Sequence, residues 1–250
     1  MKLKAPETVT FRPTSFCPGC GHGIAARLIG EIIDEMGLQQ DFIPTVDVAC
    51  GALNMDTWRF DTVMAAHGRP VVVAIGVKKV RKDKLSVAYI GDGAAYAIGM
   101  AETMHAALRN DNVVVIVMNN GVFGMTGGQM APTTLIGQKT TSSPKGRDPQ
   151  KQGEPFDVVK ALGQFDIAYL ARASLDSPAA VVKAKKYIKK AFEKQLNNEG
   201  FCLVEILAPC PTNWGLSPVD SLKHIREKTL SYYKVGEFVD KPANKKSRLN

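Results

Sequence analysis

The sequence predicts an α/β fold, with a mostly parallel β-sheet covered by helices on both faces. Strand-length apolar runs alternate along the chain with segments of helical periodicity, which is the pattern of a parallel sheet. Val113 to Met118 is an uninterrupted apolar run, typical of a strand buried on both faces. The 250 residues, 45% of them hydrophobic, suffice for one large core, so we expect residues 1–250 to form a single domain.

The elements follow from local patterns. Apolar residues recur at helical spacing from Ile24 to Met36, and Gly37 ends that helix. Val71 to Val77 fits either a buried strand or a core helix. The other predicted strands are Phe42 to Val48, Leu85 to Ile90, Val113 to Met118, Ile167 to Leu170 and Phe201 to Leu207. The other predicted helices are Ala94 to Leu108, Pro178 to Leu196 and Pro218 to Tyr233.

One long segment, Gln129 to Glu154, is rich in Gly, Pro and Thr and lacks periodicity. Such a segment inside a compact domain is usually functional or bound to a partner. We therefore expect it to be ordered by a neighbouring subunit.

The formal net charge is +8, with lysines concentrated in Lys183 to Lys190 and in the tail from Lys241 to Asn250. This pattern indicates a solvated helix face or a docking surface for an acidic partner. No nucleic-acid recognition motif accompanies the charge, so we expect no nucleic-acid partner. No apolar run reaches membrane-spanning length, and Met1 to Pro6 lacks the apolar stretch of a secretory signal. We expect a cytoplasmic protein without membrane contact.

The strongest candidate site is Gly91-Asp92-Gly93 followed by Asn119-Asn120. The 25 residues between Gly93 and Asn119 are enough for one crossover helix and the next strand, so both ends should meet at the carboxyl edge of the sheet. Mg²⁺ prefers oxygen ligands, which Asp92, Asn120 and the Val122 carbonyl could supply. A lone Gly-Asp-Gly is commonly a turn, but this pairing and spacing are typical of a thiamine-diphosphate site.

Five cysteines in a cytoplasmic chain are not expected to form disulfides. Cys17 and Cys20 form a close pair, whereas Cys50 and Cys210 stand singly in loop contexts. Cys202 lies in a strand pattern and is predicted to be a core residue. From spacing alone, an iron–sulfur cluster, a zinc site and a redox-active pair all stay open.

Together these motifs resemble the 2-oxoacid:ferredoxin oxidoreductase family, and specifically its thiamine-diphosphate-binding (beta) subunit of the 2-oxoisovalerate type. The matching segments are Cys17-Pro18-Gly19-Cys20-Gly21-His22-Gly23, His67-Gly68-Arg69, Gly91-Asp92-Gly93, Gly124-Met125-Thr126-Gly127-Gly128-Gln129-Met130-Ala131-Pro132-Thr133-Thr134 and Cys210-Pro211-Thr212-Asn213-Trp214-Gly215.

The resemblance implies a thiamine-diphosphate-binding fold, in which the Val71 segment is a helix. It implies that a [4Fe–4S] cluster is held by Cys17, Cys20, Cys50 and Cys210, and that Mg²⁺ is held by Asp92, Asn120 and Val122. The implied catalytic residues are His22, Met125 and Thr126. The implied cofactor-binding residues are Gly21, His22, His67, Gly91, Asp92, Gly93, Asn120, Val122, Gly124, Met125 and Thr126. A cluster loop over 12–23 and a C-terminal extension over 218–250 complete the expected layout.

The implied activity is coenzyme A-dependent oxidative decarboxylation of a 2-oxo acid, with electrons passing to ferredoxin or another acceptor. The implied partners are a pyrimidine-domain (alpha) subunit, which would activate the cofactor, a gamma subunit and a ferredoxin-like (delta) subunit. Phe123 and Met125 suggest an apolar pocket wall, and Gly121 to Gln129 contains no cationic residue. We therefore favour a branched-chain or aromatic substrate over 2-oxoglutarate, with pyruvate also open.

Three departures from the family pattern affect substrate specificity more than cofactor use. Ala94 replaces the common acidic residue, Cys50 lies between Ala49 and Gly51, and Pro70 begins a valine run. Two alternatives stay open: a non-oxidative thiamine-diphosphate decarboxylase or carboligase subunit, and a zinc-stabilised, non-catalytic binding subunit.

Overall fold

The computed structural model describes residues 5–10 and 14–241. Its main sheet is ordered β2-β1-β3-β4-β8-β7-β9, and all neighbouring strands are parallel except the β7–β9 pair at one edge. The strands of this sheet are β1 (Phe42–Asp47), β2 (Val63–Ala65), β3 (Leu85–Gly91), β4 (Val114–Asn119), β7 (Tyr169–Ser174), β8 (Cys202–Leu207) and β9 (Gly236–Asp240), while β5 (Val122–Phe123) and β6 (Gln129–Met130) form a separate small hairpin.

Helices cover both faces of the sheet. The α-helices are α1 (Gly21–Met36), α2 (Pro70–Val80), α3 (Met100–Leu108), α4 (Pro149–Gln152), α5 (Val158–Leu162), α6 (Pro178–Leu196), α7 (Pro211–Trp214), α8 (Pro218–His224) and α9 (Leu230–Tyr232). A 3₁₀ helix spans Cys50–Asp56, and π-helical turns span Ala94–Ile98 and Ile225–Thr229. The predicted mostly parallel α/β fold is therefore confirmed.

Two cores result, because successive side chains of a strand point to opposite faces. In β4, Val114 and Ile116 enter the core beneath α1 and α6, whereas Val115 and Val117 enter the core beneath α2, α3 and α5. This double burial explains why β4 has no polar position before Asn119.

Helices α1 and α6 show how the sequence sets element boundaries. The apolar stripe of α1, which includes Ile29 and Ile33, is buried. Gly37 ends the helix in the left-handed region, at φ 68°. Ser177 caps α6 by accepting the Ala180 amide proton.

Much of the lysine-rich face of α6 is paired. Lys185 contacts Glu31 and Glu35 of α1, and Lys190 contacts Glu237 and Asp240 of β9. This intramolecular pairing leaves less of the positive charge for an acidic partner than the sequence suggests.

Several predicted boundaries were wrong. The strand predicted at Ile167 to Leu170 runs instead over Tyr169–Ser174, because the buried Arg172 breaks its apolar pattern while pairing with Glu205. The helix predicted at Ala94 to Leu108 is divided at Gly99. The Val71 segment is a helix, as the resemblance implied.

The two end segments also differ from the predicted layout. The cluster loop expected over 12–23 ends at Cys20, because α1 begins at Gly21; residues 11–13 lie outside the described part. The expected C-terminal extension over 218–250 contributes β9 to the main sheet, and residues 242–250 lie outside the described part. The single domain over 1–250 stays a prediction.

The segment 129–154 is organised by hydrogen bonds within the chain. The buried guanidinium of Arg147 donates to five main-chain carbonyls at 2.7–3.1 Å, those of Pro132, Thr134, Gln152, Gly153 and Glu154. The buried Arg147 guanidinium thus joins distant parts of this aperiodic segment.

Across residues 5–10 and 14–241, every helix is too short or too polar to cross a lipid bilayer.

Candidate active site

A cavity of about 350 Å³ opens at the carboxyl ends of β1, β3 and β4, where ligands bind in open α/β folds. It brings together most of the residues singled out from the sequence. Those lining it are His22, Cys50, His67, Gly91, Asp92, Gly93, Asn120, Val122, Gly124, Met125 and Thr126. The lining also includes Phe123, which the sequence suggested as an apolar wall, and Asp47 and Val48, which the sequence did not single out.

Asp92 follows β3 and is almost fully buried. Its Oδ2 accepts a 3.0 Å hydrogen bond from the Gly121 amide and another from the Thr133 hydroxyl. Burial, opposed by these bonds, raises the pKa of Asp92 to about 7. A cation at this position would stabilise the carboxylate form.

The turn after β4 places two asparagines beside Asp92. Oδ1 of Asn119 accepts from the Gly121 amide at 3.2 Å, and Oδ1 of Asn120 accepts from the Val122 amide at 3.1 Å. Asn120 and Val122 line the same cavity as Asp92. Mg²⁺ prefers oxygen ligands, and the oxygen-bearing groups on this wall of the cavity fit that preference.

Gly93 is required by packing. A Cβ atom there would lie 2.5 Å from the ring of Phe123, closer than side-chain atoms approach. The glycine thus allows the Gly91–Gly93 turn to lie against the β5 hairpin, with main chain facing the cavity.

His22 is buried, and its Nδ1 lies 2.8 Å from the Tyr89 hydroxyl. Burial lowers the pKa of His22 to about 4, so the imidazole is neutral at physiological pH. Its ring stacks on Phe16. Gly21, in contrast, packs against Ala208 and donates to the Pro209 carbonyl instead of lining the cavity.

Asp47, at the end of β1, is a site residue that the sequence interpretation missed. Oδ1 accepts the Gly68 amide proton at 2.9 Å, while Oδ2 lies 3.1 Å from Nδ1 of His67 but out of line for a hydrogen bond. Its burial raises the pKa of the Asp47 carboxyl. Its position after a parallel strand was the available signal.

The pocket wall at Met125 and Thr126 is partly open, and the Met125 side chain is 50% exposed. The Thr126 hydroxyl donates to Oε1 of Gln129 at 2.5 Å, and Nε2 of Gln129 donates back to the Thr126 carbonyl at 2.8 Å. These two hydrogen bonds fix a turn from Thr126 to Gln129. Met125 precedes this turn and lies at the mouth of the cavity.

Cys17, Cys20, Cys50 and Cys210 are all free, and they are close enough to interact electrostatically. Burial raises the pKa of the Cys20 thiol to about 12, and the nearby Cys210, Cys50 and Cys17 add to the rise. Burial, with neighbouring Cys210 and Cys17, also raises the pKa of Cys50, to about 11. Among the described residues, no three His, Cys, Asp or Glu side chains stand in the compact arrangement of a bound metal ion.

Main-chain donors point at two of these thiols. The His22 amide, in the first turn of α1, contacts Cys20, and the Asn213 amide contacts Cys210. Free thiols that accept from N–H donors suit either an iron–sulfur cluster or zinc. Cys202, by contrast, is buried in β8.

A network of buried polar side chains contacts the turn of Asn119 and Asn120 from the interior of the sheet. Glu205 of β8 pairs with Arg172 and accepts from Nδ2 of Asn119 at 3.0 Å. Arg172 also contacts Asp157 at 2.6 Å. Arg172 and Glu205 lie inside strands, and no pattern in the sequence indicated that they support the asparagine turn.

The chain matches a family model described as "Thiamine pyrophosphate enzyme, C-terminal TPP binding domain" over residues 47–206. It is 38% identical over 231 residues to the ketoisovalerate oxidoreductase subunit VorA of Methanothermobacter thermautotrophicus, covering 92% of this chain. The chain spans about half of that relative, 48% of its length.

A second relative is covered more fully. The chain is 35% identical over 216 residues to the 2-oxoglutarate synthase subunit KorB of Archaeoglobus fulgidus, covering 86% of this chain and 76% of that protein.

A solved structure, the 2-oxoglutarate:ferredoxin oxidoreductase from Magnetococcus marinus with 2-oxoglutarate, coenzyme A and succinyl-CoA bound, matches with a TM-score of 0.79. The match covers 98% of this chain and 87% of that chain at 24% identity, and it shows a shared fold. The chain therefore belongs to the thiamine pyrophosphate enzymes and, among them, to the family of 2-oxoacid:ferredoxin oxidoreductase subunits.

Proposed function

We propose that this chain is the thiamine-diphosphate-binding subunit of a 2-oxoacid:ferredoxin oxidoreductase that carries out coenzyme A-dependent oxidative decarboxylation. The observation that carries the proposal is the shared cavity: Cys50 lines the same space as Asp92 and Asn120. A non-oxidative decarboxylase or carboligase would have no use for a cysteine set at this position. An oxidoreductase needs an electron acceptor there.

Asp92, Asn120 and the Val122 carbonyl would hold Mg²⁺ and through it the diphosphate. When bound, thiamine diphosphate supplies the carbanion chemistry that releases CO₂ from a 2-oxo acid. The Gly91–Gly93 turn leaves room for the diphosphate, and Gly124 to Thr126 would form the wall facing the thiazolium ring and the substrate.

His22 acts in this proposal as a neutral group. Its Nδ1 contact with the Tyr89 hydroxyl fixes the ring orientation, and its depressed pKa keeps a positive charge away from the electron-rich reaction centre. His67 would contact the cofactor from the side of Asp47.

Cys17, Cys20, Cys50 and Cys210 would hold a [4Fe–4S] cluster. Cys50 lines the cavity, so a cluster held by these thiols would lie beside the cofactor and would supply a one-electron acceptor in the same subunit. Zinc bound by the same thiols is the competing possibility, and metal analysis distinguishes the two.

The cavity favours an apolar 2-oxo acid. Its described lining includes Val48, Phe123 and Met125, contains no lysine or arginine, and contains the buried carboxyl of Asp47. A second substrate carboxylate, as in 2-oxoglutarate, would lack a cationic partner on this wall. We therefore propose a branched-chain or aromatic 2-oxo acid as the substrate.

The proposed complex includes a pyrimidine-binding (alpha) domain or subunit that supplies the activating carboxylate. It also includes a gamma subunit and a ferredoxin-like (delta) subunit that carries electrons onward to ferredoxin or another acceptor. Coenzyme A accepts the acyl group.

The test is a panel of 2-oxo acids assayed with the purified complex, coenzyme A and an artificial electron acceptor. We expect acyl-CoA formation coupled to acceptor reduction, fastest with branched-chain or aromatic substrates. Aldehyde release without acceptor reduction would favour the non-oxidative alternative. Fastest turnover of 2-oxoglutarate would contradict the substrate assignment alone.

A further inference from the structure

The short helix α7 joins the two halves of the candidate site. The side-chain nitrogen of Asn213 donates to the Gly124 carbonyl at 3.0 Å and to Sγ of Cys210 at 3.3 Å. A primary amide carries two N–H groups, so one can serve each acceptor. Next to it, Nε1 of Trp214 donates to the Asn120 carbonyl at 3.1 Å.

Two glycines enclose the Asn213 amide. A Cβ at Gly124 would lie 3.6 Å from its nitrogen and 3.3 Å from Sγ of Cys50, and a Cβ at Gly128 would lie 2.9 Å from its oxygen. The oxygen faces Gly128, so both N–H groups are directed at Gly124 and Cys210. Gly124 itself lies between the amide and Cys50.

We propose that Asn213 is a positioning residue that couples the cysteine site to the substrate-facing wall. This inference rests on the proposed function, because it assumes that Cys210 ligates the cluster and that Gly124 to Thr126 face the substrate. One N–H group stabilises negative charge on the Cys210 thiolate. The other holds the Gly124 carbonyl and, with it, the orientation of Met125.

The two bonds predict two separate effects. Hydrogen bonds to cluster sulfurs stabilise the more negative, reduced state, and so raise the reduction potential. Loss of the bond to Gly124 releases the turn that presents Met125, and so weakens substrate binding. A residue with a merely structural role in α7 would produce neither effect in a folded complex.

The experiment compares Asn213→Leu and Asn213→Val, which remove both N–H donors and add no charge. Thr212→Val is the matched control, since Thr212 is exposed on the same turn. The whole anaerobically purified complex is used. Cluster reduction potential is measured by a redox titration followed by electron paramagnetic resonance, and KM for the preferred 2-oxo acid is measured separately.

Both Asn213 variants should shift the cluster to a more negative potential and raise KM about fivefold, the factor for loss of one hydrogen bond. Thr212→Val should match the parent in both. Unchanged potential in both variants, or a change in only one of the two quantities, would overturn the coupling. Absence of a cluster from the parent complex would instead contradict the proposed function.

Discussion

At the residue scale, Asp92 has the clearest expected contribution to cofactor binding. Its carboxyl is buried, and Gly121 and Thr133 contact the same oxygen, Oδ2. Asp92→Asn keeps the shape but removes the anionic oxygen ligand, so retention of thiamine diphosphate should fall at least tenfold. Calorimetric titration of the complex with Mg²⁺ and thiamine diphosphate measures the effect. Parent-like affinity would show that Asp92 is not a metal ligand.

The cysteines provide a second residue-scale prediction. Serine at position 17, 20, 50 or 210 should lower the iron content of the anaerobically purified complex, because each thiol is a proposed ligand of the cluster. Cys202→Ser should leave the iron content unchanged, since Cys202 is buried in β8. Iron and zinc are quantified together by mass spectrometry. Stoichiometric zinc in the parent complex would contradict the cluster assignment.

At the element scale, the 129–154 segment depends on Arg147. Arg147→Met would leave several carbonyls without their donor, and should cost about 3 kcal/mol in the free energy of unfolding. Hydrogen exchange should accelerate across this segment. Lys145→Met, an exposed change two residues away, is the control and should alter neither quantity. Equal exchange in both variants would show that the segment is held by other contacts.

The elements also show what the sequence could and could not predict. Strand β4 and helix α6 were predicted because each has one unbroken sequence pattern. In β4 the residues before Asn119 are apolar on both sides of the sheet, and in α6 the apolar residues recur at helical spacing. Strand β7 was displaced because Arg172 and Ser174 are buried polar residues, and the partner of Arg172, Glu205, is distant in sequence. Strand β9, at the sheet edge, is too short and too exposed to give a periodic signal.

The same limit applies to the site. Asp92 and Asn120 were predicted because strand ends of one βαβ unit must converge. The roles of Asp47 and Asn213 depend on contacts with residues 20 to 90 positions away, which no local pattern encodes. Thr133 lay inside a motif already recognised, but its bond to Asp92 required the fold of the 129–154 segment.

At the scale of the whole molecule, the chain is expected to need partners for turnover. Among the described residues, the carboxylates lining the cavity are Asp47 and Asp92. Glu31 and Glu102 lie outside this lining and pair with basic residues. The isolated chain should therefore show no oxidation of 2-oxo acids, and adding the partner subunits should restore it. Turnover by the isolated chain would contradict this expectation and would indicate Asp47 as the activating carboxylate.

We propose that one chain holds both the cofactor and its first electron acceptor. The most direct test is to add the preferred 2-oxo acid to the anaerobic complex without coenzyme A or external acceptor, and to follow the visible absorption and electron paramagnetic resonance spectra. We predict that the broad thiolate–iron absorption decreases and a reduced-cluster signal appears, and that both changes are absent when Asp92→Asn or Cys50→Ser is introduced into this chain. A colourless parent complex, or CO₂ release with an unchanged cluster spectrum, would show that this chain does not hold the first electron acceptor.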